Sequence, residues 1–237
     1  MPKDLTSEVW NDAVEWDRPT WRRAFKHWEQ HLDSHLGPTA DAVEIGGKRG
    51  GGSLFLSYRY GISVACSDLG GPDPDARVIH ARHGVDGLIH YTDLDATKLA
   101  LPDACMDVVM FKSVLGSIGR ALGPDGLQAA VSEMARVLRP GGVLLFAENL
   151  VATRVHQFFR VRLRHWAGDW HYLDLGELEC LLKKEFSEVE IASTGIFALF
   201  APNRPHIAKT VLAWIDARIE RHTKPSSRYL AHGVAFR

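Results

Sequence analysis

The sequence predicts an α/β protein built on a doubly wound, mostly parallel sheet. Three observations carry that prediction. From residue 41 onward, short apolar runs at residues 42–45, 63–67, 88–92, 108–111 and 143–147 alternate with helical stretches, notably 53–60 and 125–138. Short apolar strands separated by helices are the pattern of a buried parallel sheet. The first run ends at Ile45 and enters a loop with five glycines among the seven residues Gly46 to Gly52, after which Ser53-Leu54-Phe55-Leu56 can open a helix. A strand, glycine loop and helix bring backbone close to a nucleotide-like ligand, because glycine accepts positive φ and has no Cβ to hold the ligand away. Finally, Arg139-Pro140-Gly141-Gly142 stops a helix and turns the chain into the fifth run, with proline as breaker and glycine as cap.

The flanking segments differ in texture. Residues 1–40 are polar and aromatic, and Trp21, Phe25, Trp28 and Leu32 recur at three- and four-residue steps. That spacing predicts an amphipathic helix in an N-terminal helical cap, with Trp10, Trp16, Trp21 and Trp28 serving as packing or as a ligand cage. Residues 41–237 form the main domain, with insertions on the ligand side at about 151–172 and 200–225. Within it, 175–186 and 206–221 resemble helices, while 189–193 and 229–235 resemble strands.

Composition narrows the function classes. A chain of 237 residues with 46% apolar content and net charge −1 can bury a sizeable core, and nothing global points to nucleic acid. No apolar run has the length of a membrane span, and Met1-Pro2-Lys3-Asp4 does not open a signal peptide. Cys66, Cys105 and Cys180 are isolated, which suits free thiols in a reducing compartment and a cytoplasmic location. No His/Asp/Glu cluster has metal-ligand spacing in the sequence, so no metal is expected.

Four features fall at the carboxyl ends of successive predicted strands, where open α/β sheets bind ligands. They are the glycine loop with Glu44 before it, Asp68 closing Val64-Ala65-Cys66-Ser67-Asp68, Asp95-Ala96 before Leu101-Pro102-Asp103, and the strand Asp107-Val108-Val109-Met110-Phe111 entering Lys112-Ser113. A carboxylate about twenty residues beyond a glycine loop commonly accepts from ribose hydroxyls.

In this order, together with Leu138-Arg139-Pro140-Gly141-Gly142, these motifs resemble the class I S-adenosylmethionine-dependent methyltransferases over roughly residues 40–150. Gly50-Gly51-Gly52-Ser53-Leu54, Cys66-Ser67-Asp68-Leu69 and Phe111-Lys112-Ser113-Val114-Leu115-Gly116 further resemble members that modify sugars in surface-polysaccharide pathways. The resemblance implies a Rossmann-like sheet of seven strands with an antiparallel last strand, and S-adenosyl-L-methionine as cofactor. It also implies roles. Glu44, Gly46, Gly47, Lys48 and Gly50 would border the methionine part of the cofactor, and Asp68 would bind the ribose, with Leu69 on adenine. Asp95 and Ala96 would meet the adenine edge, and Lys112 and Ser113 the sulfonium end. The alternative for Glu44 and Asp95 is that they cap helices or turns. One departure stands out: Lys48 occupies the position where the family's Gly-x-Gly-x-Gly pattern has its middle glycine. Lys48 or Arg49 would either pair with the cofactor's carboxylate or remain solvated loop cations.

On the acceptor side, Glu148, His165 and His171 are the candidate general bases, with the packed, hydrogen-bonded histidine as the bland alternative. Residues 153–166 hold four arginines among aromatics, which would grip a phosphate of a nucleotide-sugar or lipid-diphosphate acceptor, form a solvated face, or touch anionic membrane lipid in a peripheral contact. The sequence therefore points to methyl transfer to a small molecule or saccharide. A catalytically inactive partner or scaffold module and an NAD(P)-dependent oxidoreductase are the alternatives. The oxidoreductase lacks support from the glycine spacing, since no Gly-x-Gly-x-x-Gly is present.

Overall fold

A computed structural model describes residues 2–37, 39–163, 168, 170–201 and 206–237. Seven strands form one sheet: β1 (Asp41–Ile45), β2 (Ser63–Asp68), β3 (Ile89–Asp93), β4 (Met106–Lys112), β5 (Leu138–Asn149), β6 (Glu188–Thr194) and β7 (Leu230–Phe236). Their spatial order is β3-β2-β1-β4-β5-β7-β6. The first five pair in parallel, and β7 enters antiparallel between β5 and β6. Order reverses between β2 and β4 on either side of β1, which makes the tip of β1 the topological switch point.

Helices cover both faces. Alongside the sheet lie α1 (Ser7–Val14), α2 (Arg18–His35), α3 (Gly51–Tyr60), α4 (Pro74–Arg82), α5 (Leu115–Val137), α6 (Arg154–Leu163), α7 (Leu175–Lys183) and α8 (His206–Ile219). One face packs Trp21, Phe25, Trp28 and Leu32 of α2 with Leu54 and Phe55 of α3 over Val64, Met110 and Val234. The other packs Leu127, Val131 and Met134 of α5 with Leu178 and Leu182 of α7 over Val43, Phe111 and Phe146. The three- and four-residue steps along α2 put all four of its large apolar side chains into the core, where Trp28 also donates its indole N–H to the Gly233 carbonyl of β7 at 3.0 Å. The N-terminal helices thus share a core with the sheet.

Two local details shape the ligand side of the sheet. The helix α5 breaks at Gly123-Pro124, where Gly123 takes φ 67°, so only its first two turns stand at the rim. Between α1 and α2 the chain makes a tight γ-turn at Glu15 (φ 61°, ψ −77°), closed by the Trp16 N–H on the Val14 carbonyl at 2.8 Å. Asp17 comes next in the left-handed region with φ 43°, just ahead of Pro19 in the first turn of α2.

Candidate active site

The penultimate residue of both β1 and β5 is a buried glutamate, and both do the same work. Glu44 accepts from the Gly52 N–H at 2.9 Å, and from the Ser53 N–H and hydroxyl at 2.7 and 2.6 Å. Its two oxygens therefore neutralise the exposed donors that open α3. Glu148 accepts from the N–H groups of Val114 and Leu115 at 2.9 and 2.7 Å where α5 opens, and from Asn149 N–H at 2.9 Å. Burial raises the carboxyl of Glu148 to about 7 against these three donors, and it raises that of Glu44 too. Glu44 caps the helix that follows its own strand, and Glu148 the helix that precedes its strand.

The glycine loop is shaped from outside as much as from within. A Cβ on Gly46 would strike Val114, and on Gly50 it would strike His80, while one on Gly51 would collide with the Ala13 carbonyl of α1. Lys48 takes φ 47°, the left-handed conformation that glycine adopts freely, so the backbone keeps a glycine-like path at this departure. Its N–H donates to Asp68 at 2.8 Å, and Gly47 N–H donates to the Ser67 carbonyl at 2.7 Å, tying the loop to the tip of β2. The Lys48 side chain is exposed, whereas Arg49 lies 3.6 Å from Asp75.

Beyond the loop the strand tips carry carboxylates in a row. Asp68 also accepts from Leu69 N–H at 2.8 Å, and two of its lone-pair positions are left over. Leu69 itself is 75% exposed. Asp93 accepts from Gly70 N–H at 2.7 Å, fixing the turn after β2. One oxygen of Asp95 takes both the N–H and the hydroxyl of Thr97, at 2.8 and 2.7 Å, which holds its carboxyl below the usual range. Ala96 sits half-buried in that turn.

Beside the glycine loop, over β4, opens a cavity of about 480 Å³. Its walls include Trp16 and Asp17 from the α1–α2 turn, Lys48 from the glycine loop, Lys112 and Asn149 from the strand tips, and Trp170 from the segment after α6. Six non-glycine residues have positive φ among the described residues, and four of them line this cavity: Glu15, Asp17, Lys48 and Ser113. Strained backbone of this kind collects at functional sites. Lys112 is buried, with its ammonium 4.8 Å from the Trp16 ring centre and 3.2 Å from the Ala13 carbonyl it donates to. Burial lowers its pKa, and Glu15 and Glu44 oppose that shift. Ser113 accepts from the Asn149 amide at 2.6 Å.

Asp17 is the group that sequence reasoning did not single out. It is 3% exposed, and it accepts from the Tyr229 hydroxyl at 2.6 Å and from the Thr20 hydroxyl at 3.3 Å. Desolvation is the main cause of a carboxyl raised to about 6, with the Tyr229 hydrogen bond and the nearby Lys209 pulling the other way. A carboxyl poised near neutrality on a cavity wall is the profile of a proton acceptor. Asp17-Arg18-Pro19 was a signal of sorts, since an acidic residue ahead of a proline marks a helix start. Nothing in the sequence linked it to Tyr229.

The predicted bases separate accordingly. Glu148 stays behind Asn149, with its oxygens on α5, outside the residues that line the cavity. His171 is exposed and donates its backbone N–H to the Gly116 carbonyl at 3.1 Å, so its segment, with Trp170 packed on Gly116, leans on the first turn of α5. His165 lies outside the described residues. Of the arginines after residue 153, Arg160 is buried and donates to the Leu150 carbonyl at 2.7 Å, so it serves the fold, while Arg162 lies 5.5 Å from the Phe158 ring centre on exposed α6.

A doubly wound sheet in this strand order, with β7 alone antiparallel and a glycine loop at the tip of β1, is the Rossmann-like architecture of class I methyltransferases. Residues 43–146 match the family model described as a methyltransferase domain. Over this segment the chain is similar to methyltransferase domains. A glycine/sarcosine/dimethylglycine N-methyltransferase of Actinopolyspora halophila is 29% identical over 119 residues, which is 49% of this chain and 20% of that protein. The chain thus matches about a fifth of the length of that relative. Among solved structures, phosphoethanolamine N-methyltransferase 2 of Haemonchus contortus, in complex with phosphomonomethylethanolamine and S-adenosylhomocysteine, superposes with a TM-score of 0.63 at 16% identity, over 98% of this chain and 58% of that one. A [4+2]-cyclase superposes with a TM-score of 0.61 at 17% identity, over 92% and 82% of the two chains. At these identities the structural likeness speaks to the fold alone.

Proposed function

We propose that this chain transfers the methyl group of S-adenosyl-L-methionine to a small-molecule acceptor held in the 480 Å³ cavity. The observation that carries the reading is that Gly46, Gly47 and Lys48 of the glycine loop line that cavity, while the Lys48 N–H ties the loop to Asp68 at the tip of β2. The residues present fit the cofactor. Asp68 keeps lone pairs open for ribose hydroxyls, and Leu69 offers an exposed apolar side chain to the base. The free oxygen of Asp95 can accept from an exocyclic amine. Lys48 lines the cavity with an exposed ammonium, whereas Arg49 is engaged by Asp75, so Lys48 is the better partner for the cofactor's carboxylate.

When bound, the cofactor supplies a methyl carbon already activated by a sulfonium, so the chain's own contribution is alignment and proton removal. Trp16 and Trp170 face the acceptor with flat apolar surfaces, and Glu15, Asn149 and Ser113 offer hydrogen bonds beside them. This mixture suits a polyhydroxylated ring and supports a saccharide or nucleotide-sugar acceptor. Asp17 takes the acceptor's proton, with Tyr229 and Thr20 holding its carboxylate in place. The apolar side chains exposed on α6 (Val155, Phe158, Phe159) support peripheral contact with a lipid surface during the reaction.

Calorimetry on the full chain with S-adenosylmethionine, S-adenosylhomocysteine and NAD⁺ tests the reading. Binding of the first two in the micromolar range, lost in Asp68→Ala, is the expected result. Binding of NAD⁺ alone would overturn it in favour of an oxidoreductase, and binding of none would favour a scaffold.

A further inference from the structure

Away from this groove, a second group of chemically active side chains converges where α2 crosses the outer strands. His27 and His31 stand four residues apart on α2, one turn above the other on the same face. Glu190 reaches them from the edge strand β6. One donor atom from each of the three lies within 4.8 Å of the other two, and His31 Nε2 is 3.5 Å from Glu190 Oε2. An ion with tetrahedral bonds of about 2.0–2.1 Å needs donors about 3.3 Å apart, so His31 and Glu190 are already near that spacing. The other pairs lie within 4.8 Å, so none has to close by more than about 1.5 Å, and the Glu190 side chain, 48% exposed, has room to move.

Two further observations fit a ligand here. His232 on β7 is 5% exposed, and its Nδ1 stands 3.1 Å from His27 Nδ1. That hydrogen bond orients the His27 ring and decides which nitrogen remains for an ion, as outer-shell partners do in metal sites. His31 and Glu190 also line a cavity of about 900 Å³ at the amino ends of the strands, with Asp41, Asp107 and Glu188, which offers an ion an open path.

We infer that His27, His31 and Glu190 bind one divalent transition-metal ion, with His232 as a positioning residue. Two imidazoles and one carboxylate select zinc, nickel or cobalt over the harder magnesium and calcium. The ion would join α2 to the edge strand at the end of the sheet opposite the glycine loop. It is therefore a staple that takes no part in methyl transfer. Asp17 immediately precedes the other end of α2, so the staple also steadies one wall of the 480 Å³ cavity.

The test uses the full chain stripped with chelator and titrated with Zn²⁺, Co²⁺ and Mg²⁺ by calorimetry, with visible absorption for cobalt. One equivalent of Zn²⁺, a four- or five-coordinate cobalt spectrum, a raised melting temperature and no heat with Mg²⁺ are expected. Glu190→Gln and His31→Asn should each raise the Zn²⁺ dissociation constant at least tenfold, while the exposed His222→Asn should leave it unchanged. Substoichiometric zinc, equal binding of Mg²⁺, or unchanged affinity in both ligand variants would overturn the assignment. Glu190 is on an exposed edge, so its variant folds even where a change in α2 does not, and the cobalt spectrum needs no variant at all.

Discussion

Replacing Asp17 by asparagine separates a carboxylate kept for chemistry from one kept for structure. The substitution preserves an oxygen for the Tyr229 hydroxyl, and asparagine tolerates the left-handed backbone at φ 43°. What it removes is the buried charge. The native carboxyl holds its proton up to about pH 6, whereas the unfolded chain releases it near the ordinary 3.8. The native state therefore binds more protons between those values, so stability falls as pH rises through the window and the loss is complete above it. Integrated, the penalty is about 1.6 kcal/mol at pH 5 and about 3 kcal/mol at pH 8. Asp17→Asn should recover up to that amount, raising the melting temperature at pH 8 by about 6–12 °C for a chain of this length, and about half as much at pH 5. Turnover with bound cofactor should drop by about 10²–10⁴, and the acidic limb of the pH–rate profile near 6 should vanish, while cofactor affinity holds. Differential scanning calorimetry at both pH values and methyl-transfer kinetics supply the readouts. A variant that is less stable at pH 8, or that turns over at the wild-type rate with the acidic limb intact, would refute the reasoning.

Asp68→Ala should weaken S-adenosylhomocysteine binding at least tenfold by calorimetry and cost only about 1 kcal/mol of stability, because the two hydrogen bonds it loses are near the surface. Glu44→Gln sets an amide N–H₂ against the Ser53 or Gly52 N–H, and urea unfolding should register a loss of about 2–4 kcal/mol. Gly51→Ala drives a methyl into the Ala13 carbonyl and should lose about 1–3 kcal/mol through displacement of α1, whereas Gly61→Ala, with nothing near its Cβ and φ +70°, should lose only about 1 kcal/mol, both read by urea unfolding. Lys48→Gly relieves left-handed strain and should gain about 1 kcal/mol in thermal unfolding while weakening cofactor binding if the ammonium pairs with its carboxylate.

The sheet was legible because its signals are local. Residues 42–45, 63–67 and 108–111 are short apolar runs between turn residues, and each lies within a strand close to those bounds. Asp68 was legible for the same reason, since a strand tip can be counted off from a glycine loop. The cavity walls were legible only at the loop and strand tip (Gly46, Gly47, Lys48, Lys112 and Ser113), because the rest is made by meetings between distant segments. Asp17 gains its character from burial beneath Tyr229, and Glu148 loses its availability to two N–H groups 33 and 34 residues earlier. The convergence of His27 and His31 with Glu190, more than 150 residues on, is likewise invisible until α2 is laid across the sheet. Lys48 departs from the family pattern in sequence, but only the backbone angle reveals that lysine takes the path of the glycine it replaces.

The Asp17–Tyr229 hydrogen bond spans 212 residues of chain. At ordinary translation rates of about 5–20 residues per second, the ribosome needs roughly 10–40 s to deliver the phenol after the carboxylate has been made. During that interval β7 is missing, so β6 has no neighbour to pair with and Trp28 no Gly233 carbonyl to meet. A nascent chain can fold its glycine loop early, since those contacts are short in sequence, yet it cannot hold the Asp17 carboxylate in place. Premature termination before Tyr229 would thus leave Asp17 without the hydroxyl that the last strand brings to it, and leave β5 and β6 without the strand that joins them.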